Sequence, residues 1–136
     1  MFTLKNHIGF GDGYGNILNQ VFVTMKISLP LPPPLNATYA TTKSGGFYKK
    51  KGAKEWEKEA GQLLMLKRPK KPLLGPLECH IDMYLKRERD IDSSLKLILD
   101  VLAKMRYYED DRQIITLGVC KYIDRNPRLE IELNVH

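Results

Sequence analysis

Cysteine is scarce in this chain: Cys79 and Cys120 are the only two in 136 residues. Two are too few for a disulfide scaffold, and their spacing fits no zinc motif. Both are therefore expected as small core thiols in a reducing compartment. No apolar run approaches the roughly 20 residues that a bilayer span needs, which excludes a membrane-spanning helix. The N-terminus lacks the basic-then-apolar pattern of a secretory signal, so a cytoplasmic location is expected. Internal repeats and long low-complexity stretches are missing too. What is present, 43% apolar and 28% charged residues, is the composition of one soluble globular domain with a single core.

Acid is in deficit, but only locally. The chain carries 22 Lys and Arg against 16 Asp and Glu, a net charge of +6. Between Lys43 and Lys71 there are ten basic residues and three acidic ones, a surplus that leaves the rest of the chain nearly neutral. Such a block on a neutral body attracts polyanions, nucleic acid among them. It can equally be a solvated face.

Residues 1–24 read as a flexible leader, and 25–136 as one domain. The leader holds Gly9, Gly11, Gly13 and Gly15. This run superficially resembles a phosphate-binding loop, but no strand precedes it and no helix pattern follows. Val21 to Leu29 is rich in β-branched and apolar residues and reads as a strand. The prolines at 30, 32, 33 and 34 end it. Asn36 to Gly46 reads as a polar loop. Trp56, Ala60, Leu63, Leu64 and Lys67 share one face at helical spacing and predict a helix over 53–67, with Trp56 as a core anchor. Arg68-Pro69-Lys70-Lys71-Pro72 stops it.

Leu77, Cys79, Ile81, Met83 and Leu85 alternate with Glu78, His80, Asp82 and Tyr84, which is a strand with one buried side. His80 falls on the polar face, as a solvated or interface residue. Leu95, Ile98, Leu99, Leu102 and Met105 predict a second helix over 92–105. Ile114 to Ile123 and Leu129 to Val135 read as two more strands. Asp124-Arg125-Asn126-Pro127 is a turn that should join them as a hairpin. The expected class is α/β (α+β): one mixed, mostly four-stranded sheet in the order β-α-β-α-β-β, with helices packed on it.

The chemistry concentrates between Lys86 and Arg112. Asp90 and Asp92 are two apart, so in an extended segment their side chains leave on the same side. Lys96 follows Asp92 by four residues, and the helix leads on to Glu109, Asp110 and Asp111. Unit charges about 4 Å apart repel by roughly 4 kcal/mol at an effective dielectric of ~20. Converging aspartates therefore call for a cation or a shared proton. Oxygen-only ligands suit a hard ion such as Mg²⁺, and Lys86, Arg87 and Arg89 could hold a phosphate backbone beside it. Each acidic residue also has a structural reading: Asp92 as a helix cap, Asp111 as a solvated turn residue.

The run Arg89-Asp90-Ile91-Asp92, then Lys96, then Asp110-Asp111, resembles the RusA family of Holliday junction resolvases. Leu29-Pro30-Leu31-Pro32-Pro33, with Asn36 shortly after, is similar to that family's Leu-Pro-x-Pro-Pro segment. The likeness extends from about Met25 to the C-terminus. It implies a homodimeric, Mg²⁺-dependent endonuclease (Mn²⁺ substituting) that cuts four-way DNA junctions with paired, symmetric nicks. By position, Asp90, Asp92 and Asp111 would bind the metal, and Lys96 would be the catalytic lysine. Family members commonly carry Asn directly after the second aspartate, where this chain has Ser93. The basic block, notably Lys49, Lys50, Lys51, Arg68, Lys70 and Lys71, would hold the junction arms through phosphate contacts. The alternatives are a non-catalytic junction-binding or single-strand DNA-binding protein, and an interaction module whose aspartates are caps and turns.

Overall fold

The computed structural model describes residues 2–7, 20–34, 39–41, 43–45, 47–49 and 51–136. The Gly9–Gly15 run, Asn36 and Lys50 lie outside the described residues. Among the described residues the strands and helices are, in chain order, β1 (Phe2–His7), β2 (Gln20–Leu29), β3 (Tyr39–Thr41), β4 (Phe47–Lys49), α1 (Lys51–Leu66), β5 (Leu77–Leu85), α2 (Leu95–Lys104), β6 (Ile114–Ile123) and β7 (Arg128–Val135), with a 3-10 turn at Asp111–Gln113. From β2 onward, leaving aside the small β3–β4 ribbon, the order is the β-α-β-α-β-β expected of the α+β class. No described helix is long and apolar enough to cross a membrane.

The main sheet runs β1-β2-β7-β5-β6. Its core strands place apolar residues in matched rows: Met25 opposite Leu133 and Cys79, Ile27 opposite Ile131 and Ile81, Leu29 opposite Leu129 and Met83. All nine are buried. Full burial of a side chain of this kind is worth about 1.5–3 kcal/mol, so the strict alternation in β5 is what fixes the register. Ala53, Trp56, Ala60, Gly61 and Leu64 of α1 cover these rows, together with Leu97, Ile98, Val101 and Leu102 of α2. The buried stripe of α1 passes through 53, 56, 60 and 64 and leaves Leu63 40% exposed, unlike the expected face.

Three expectations differ from the structure. The stretch expected as a leader contributes β1, which pairs antiparallel with β2 from Phe2 opposite Met25 to His7 opposite Gln20. The expected loop over 36–46 contains β3, which pairs with β4 as a two-stranded ribbon; Gly45 takes a φ of +89°, open to glycine without steric cost. Finally, β6 and β7 are not a hairpin. β6 pairs parallel with β5, and β7 lies on the other side of β5, antiparallel to both β5 and β2. The chain crosses over the end of β5, where Asp124 N–H donates to the Leu85 carbonyl at 2.8 Å. Burial explains the arrangement. Leu129, Ile131 and Leu133 are at most 2% exposed and need neighbours on both sides, whereas β6 leaves Ile115, Leu117, Tyr122 and Ile123 at 40% or more and takes the edge.

Candidate active site

The parallel pairing of β5 and β6 requires a crossover, and α2 supplies it. The segment after β5 therefore emerges at the C-terminal end of that strand and must be anchored before α2 begins. Arg89 anchors it. Its Nη1 donates to the Pro32 carbonyl at 2.7 Å and to Ser94 Oγ at 3.1 Å, and Ser94 Oγ donates to the Pro33 carbonyl at 3.2 Å. Trp56 Nε1 donates to the Pro30 carbonyl at 2.8 Å. Pro30, Pro32 and Pro33 have no N–H with which to continue a ladder, and their carbonyls accept instead from one arginine, one serine and one tryptophan. Arg89 is half-buried, and burial lowers its pKa from the usual value. Lys86 and Arg87, its basic neighbours, are exposed.

Asp90 and Asp92 follow in this anchored loop, both exposed. They stand at a turn, not in an extended run: Ser93 N–H donates to the Asp90 carbonyl at 3.1 Å and Leu95 N–H to the Asp92 carbonyl at 3.4 Å. The helix starts at Leu95, later than expected, with Ser94 at its N-cap position and no side-chain cap bond. Asp92 is therefore not the cap. Lys96, expected over Asp92, instead sets its Nζ 3.0 Å from Asp100 Oδ2, because only the Lys96–Asp100 spacing falls within the helix. Ser93 is buried, and its Oγ finds no hydrogen-bond partner.

Asp110 and Asp111 take different jobs. Asp110 caps the 3-10 turn, accepting from Arg112 N–H at 2.8 Å, while Gln113 closes the reciprocal half of a capping box. Arg112 also binds its carboxylate through Nε at 3.1 Å and Nη2 at 3.0 Å. These bonds, the backbone N–H first, hold the Asp110 carboxyl below the usual aspartate range. Asp111 opens the turn and is exposed. Between this turn and α2, Tyr108 is fully buried and its hydroxyl donates to the Leu99 carbonyl at 2.7 Å, with burial pushing its pKa up.

One chain does not bring the three aspartates together. Asp90 and Asp92 lie past Leu85, and Asp111 lies before Ile114. The register pairs Leu77 with Ile114 and Leu85 with Ile123, so these are opposite ends of the parallel pair. α2, ten residues and about 15 Å long, carries the chain from one end to the other. Among the described residues, the carboxylates of Asp90, Asp92 and Asp111 do not close to within 4.8 Å of one another.

Of the expected DNA-contacting residues, Lys51, Arg68, Lys70 and Lys71 are exposed, and Lys49 belongs to β4. Sequence reasoning missed Lys121. It stands on the apolar side of β6, opposite Met83, and reaches into the site loop: its Nζ donates to the Glu88 carboxylate and, at 3.0 Å, to the Arg89 carbonyl. A lysine in line with Leu117, Val119 and Ile123 was the available signal.

The family model described as endodeoxyribonuclease RusA matches residues 30–134. The crossover junction endodeoxyribonuclease rusA of Lactococcus phage r1t is 43% identical over 44 residues, 32% of this chain and 34% of that protein. That alignment spans about a third of the relative's length.

Proposed function

Because the chain belongs to the RusA family of endodeoxyribonucleases, whose model spans residues 30–134, we propose that it is a structure-selective endonuclease resolving four-way DNA junctions by paired nicks. The observation that carries this reading is the anchored loop after β5. It presents Asp90 and Asp92 to solvent between exposed Lys86 and Arg87 on one side and Lys96 on the other.

The donor set fits a hard divalent cation, since it consists of exposed carboxylates alone. Asp90, Asp92 and Asp111 would hold Mg²⁺; Asp110 is occupied by Arg112 and the turn it caps. Bound there, Mg²⁺ would supply Lewis acidity and charge neutralisation for phosphodiester hydrolysis. Lys86 and Arg87 would grip the backbone phosphates and set the scissile group against the aspartates. Lys96 would exchange Asp100 for the phosphate, since its flexible stem carries a point charge toward whichever anion is better placed. Arg89 and Lys121 would hold the loop's shape and not touch DNA.

The separation of Asp111 from Asp90 and Asp92 supports a homodimer. A two-fold pair can set the Asp111 end of one chain against the Asp90–Asp92 loop of its partner, giving two equivalent sites for two opposed strands. A second reading, a non-catalytic junction- or single-strand-binding protein, draws on the same separation and on Ser93 in the Asn position.

Asp90→Asn tests the proposal. It should bind a four-way junction as wild type does while cutting at least ~100-fold more slowly, about 2.7 kcal/mol in the barrier. Cutting by Asp90→Asn at the wild-type rate would remove Asp90 from the site.

A further inference from the structure

The face of the sheet turned away from the helices carries a second group of metal-ligating side chains. On this face His80 stands opposite Gly118 and Glu132, and Asp82 opposite Cys120 and Glu130. The ligand atoms of His80, Asp82 and Cys120 all lie within 4.8 Å of one another, the only such trio among the described residues. His80 Nε2 is 3.8 Å from Asp82 Oδ1. His80 and Asp82 also line a hollow of about 240 Å³ on this face, together with Lys26, Glu130, Ile131 and Glu132.

We propose that His80, Asp82 and Cys120 form a binding site for a borderline-soft divalent cation of the Zn²⁺ type, distinct from the carboxylates of the nuclease site. The donor set decides the class of ion: one imidazole, one carboxylate and one thiolate suit Zn²⁺ and its neighbours, whereas Mg²⁺ takes oxygen. Tetrahedral coordination with bonds of about 2.0–2.3 Å needs ligand atoms about 3.3–3.7 Å apart, so small side-chain rotations close the trio. The fourth position opens to the hollow and to water. Binding releases the Cys120 proton to solvent as the thiolate forms the metal–sulfur bond.

Two independent features point the same way. Asp82 Oδ1 is inaccessible to solvent and has no hydrogen-bond partner, an orphan that a cation would satisfy. The second is steric. A Cβ on Gly118 would come within 2.6 Å of His80 Nδ1 and 2.9 Å of Cε1, so the imidazole lies where only glycine leaves room. The surroundings are electronegative as well: Glu130 and Glu132 line the hollow beside Asp82, against Lys26. Glu130 is already engaged by Ser28 Oγ at 2.7 Å and Arg128 Nε at 3.3 Å, which leaves the trio as the compact ligand group. The other thiol cannot serve, since Cys79 is buried on the helix side with its pKa pushed up to about 12.

Co²⁺ titration of the full, EDTA-stripped chain tests this. Thiolate-to-cobalt charge-transfer absorption should saturate at one ion per chain and disappear on adding Zn²⁺. Cys120→Ser should abolish the band, and Gly118→Ala should weaken binding at least ~10-fold by displacing the ring. His80→Gln should also weaken it, as a check that does not touch the sulfur. Asp90→Asn should leave the band unchanged, which separates this site from the nuclease carboxylates. A folded wild-type chain without the band, or a band surviving in Cys120→Ser, would overturn the proposal.

Discussion

Asp110 and Asp111 are adjacent and chemically identical, yet their surroundings differ. Asp110 is tied down by two backbone-type cap bonds and the Arg112 guanidinium, whereas Asp111 faces solvent at the start of the turn. Asp110→Ala should therefore lower Tm while leaving cutting within a few-fold of wild type. Asp111→Ala should leave Tm nearly unchanged and abolish cutting. Thermal melts and junction cleavage on the same two variants check this, and the reverse pattern would swap the assignment. The pH dependence has a defined sign. Asp110 has a folded pKa below the unfolded value of about 3.9, so its contribution is complete above that value and disappears as pH falls through the folded pKa. The Tm gap between wild type and Asp110→Ala should accordingly be constant from pH 5 to 7 and shrink in strong acid. Sequence spacing could not separate the two residues, because which aspartate caps depends on where the 3-10 turn begins.

At the scale of elements, the loop between β5 and α2 depends on one arginine shared between the proline segment and the helix start. Arg89→Ala should cost about 2 kcal/mol, several degrees in Tm, by leaving the Pro32 carbonyl and Ser94 without their charged donor. Arg89→Lys should not restore it, since a single ammonium does not reproduce the guanidinium fork. Full restoration by lysine would show that Arg89 acts by charge alone. Much of this level was legible in advance. Alternation gave β5 to the residue, because a strand with one wet face leaves a period-two record, and Trp56 announced the core side of α1. The acidic pair and Lys96 were legible as chemistry. Pairing was not. The chain between β6 and β7 has turn residues whichever side of β5 receives β7, and only the burial of Leu129, Ile131 and Leu133 decides for the sheet interior. The same limit hid the His80, Asp82 and Cys120 group, whose members come from two strands almost forty residues apart and meet only through the parallel register. Cys120, expected in the core, stands on the open face for that reason.

For the whole molecule, the proposed site needs carboxylates that lie at opposite ends of β5 and β6. A two-fold dimer is the proposed way to join them, and complementation tests it directly. Mixing Asp90→Asn with Asp111→Asn chains should recover cutting, because one of the two composite sites in a mixed dimer then carries three intact aspartates. It should recover single nicks, not paired ones, since the other site is doubly disabled. No recovery from mixed dimers would mean that each chain builds its own site.

The most direct test is cleavage of labelled four-way junctions, over a panel of core sequences, against linear duplex of matched sequence, in Mg²⁺ and in EDTA. Paired nicks near the crossover are expected in Mg²⁺, with none in EDTA and none in the duplex. Tight junction binding without cuts in Mg²⁺ or Mn²⁺ would contradict this, and would leave a DNA-binding protein whose aspartates serve the loop and the turn alone.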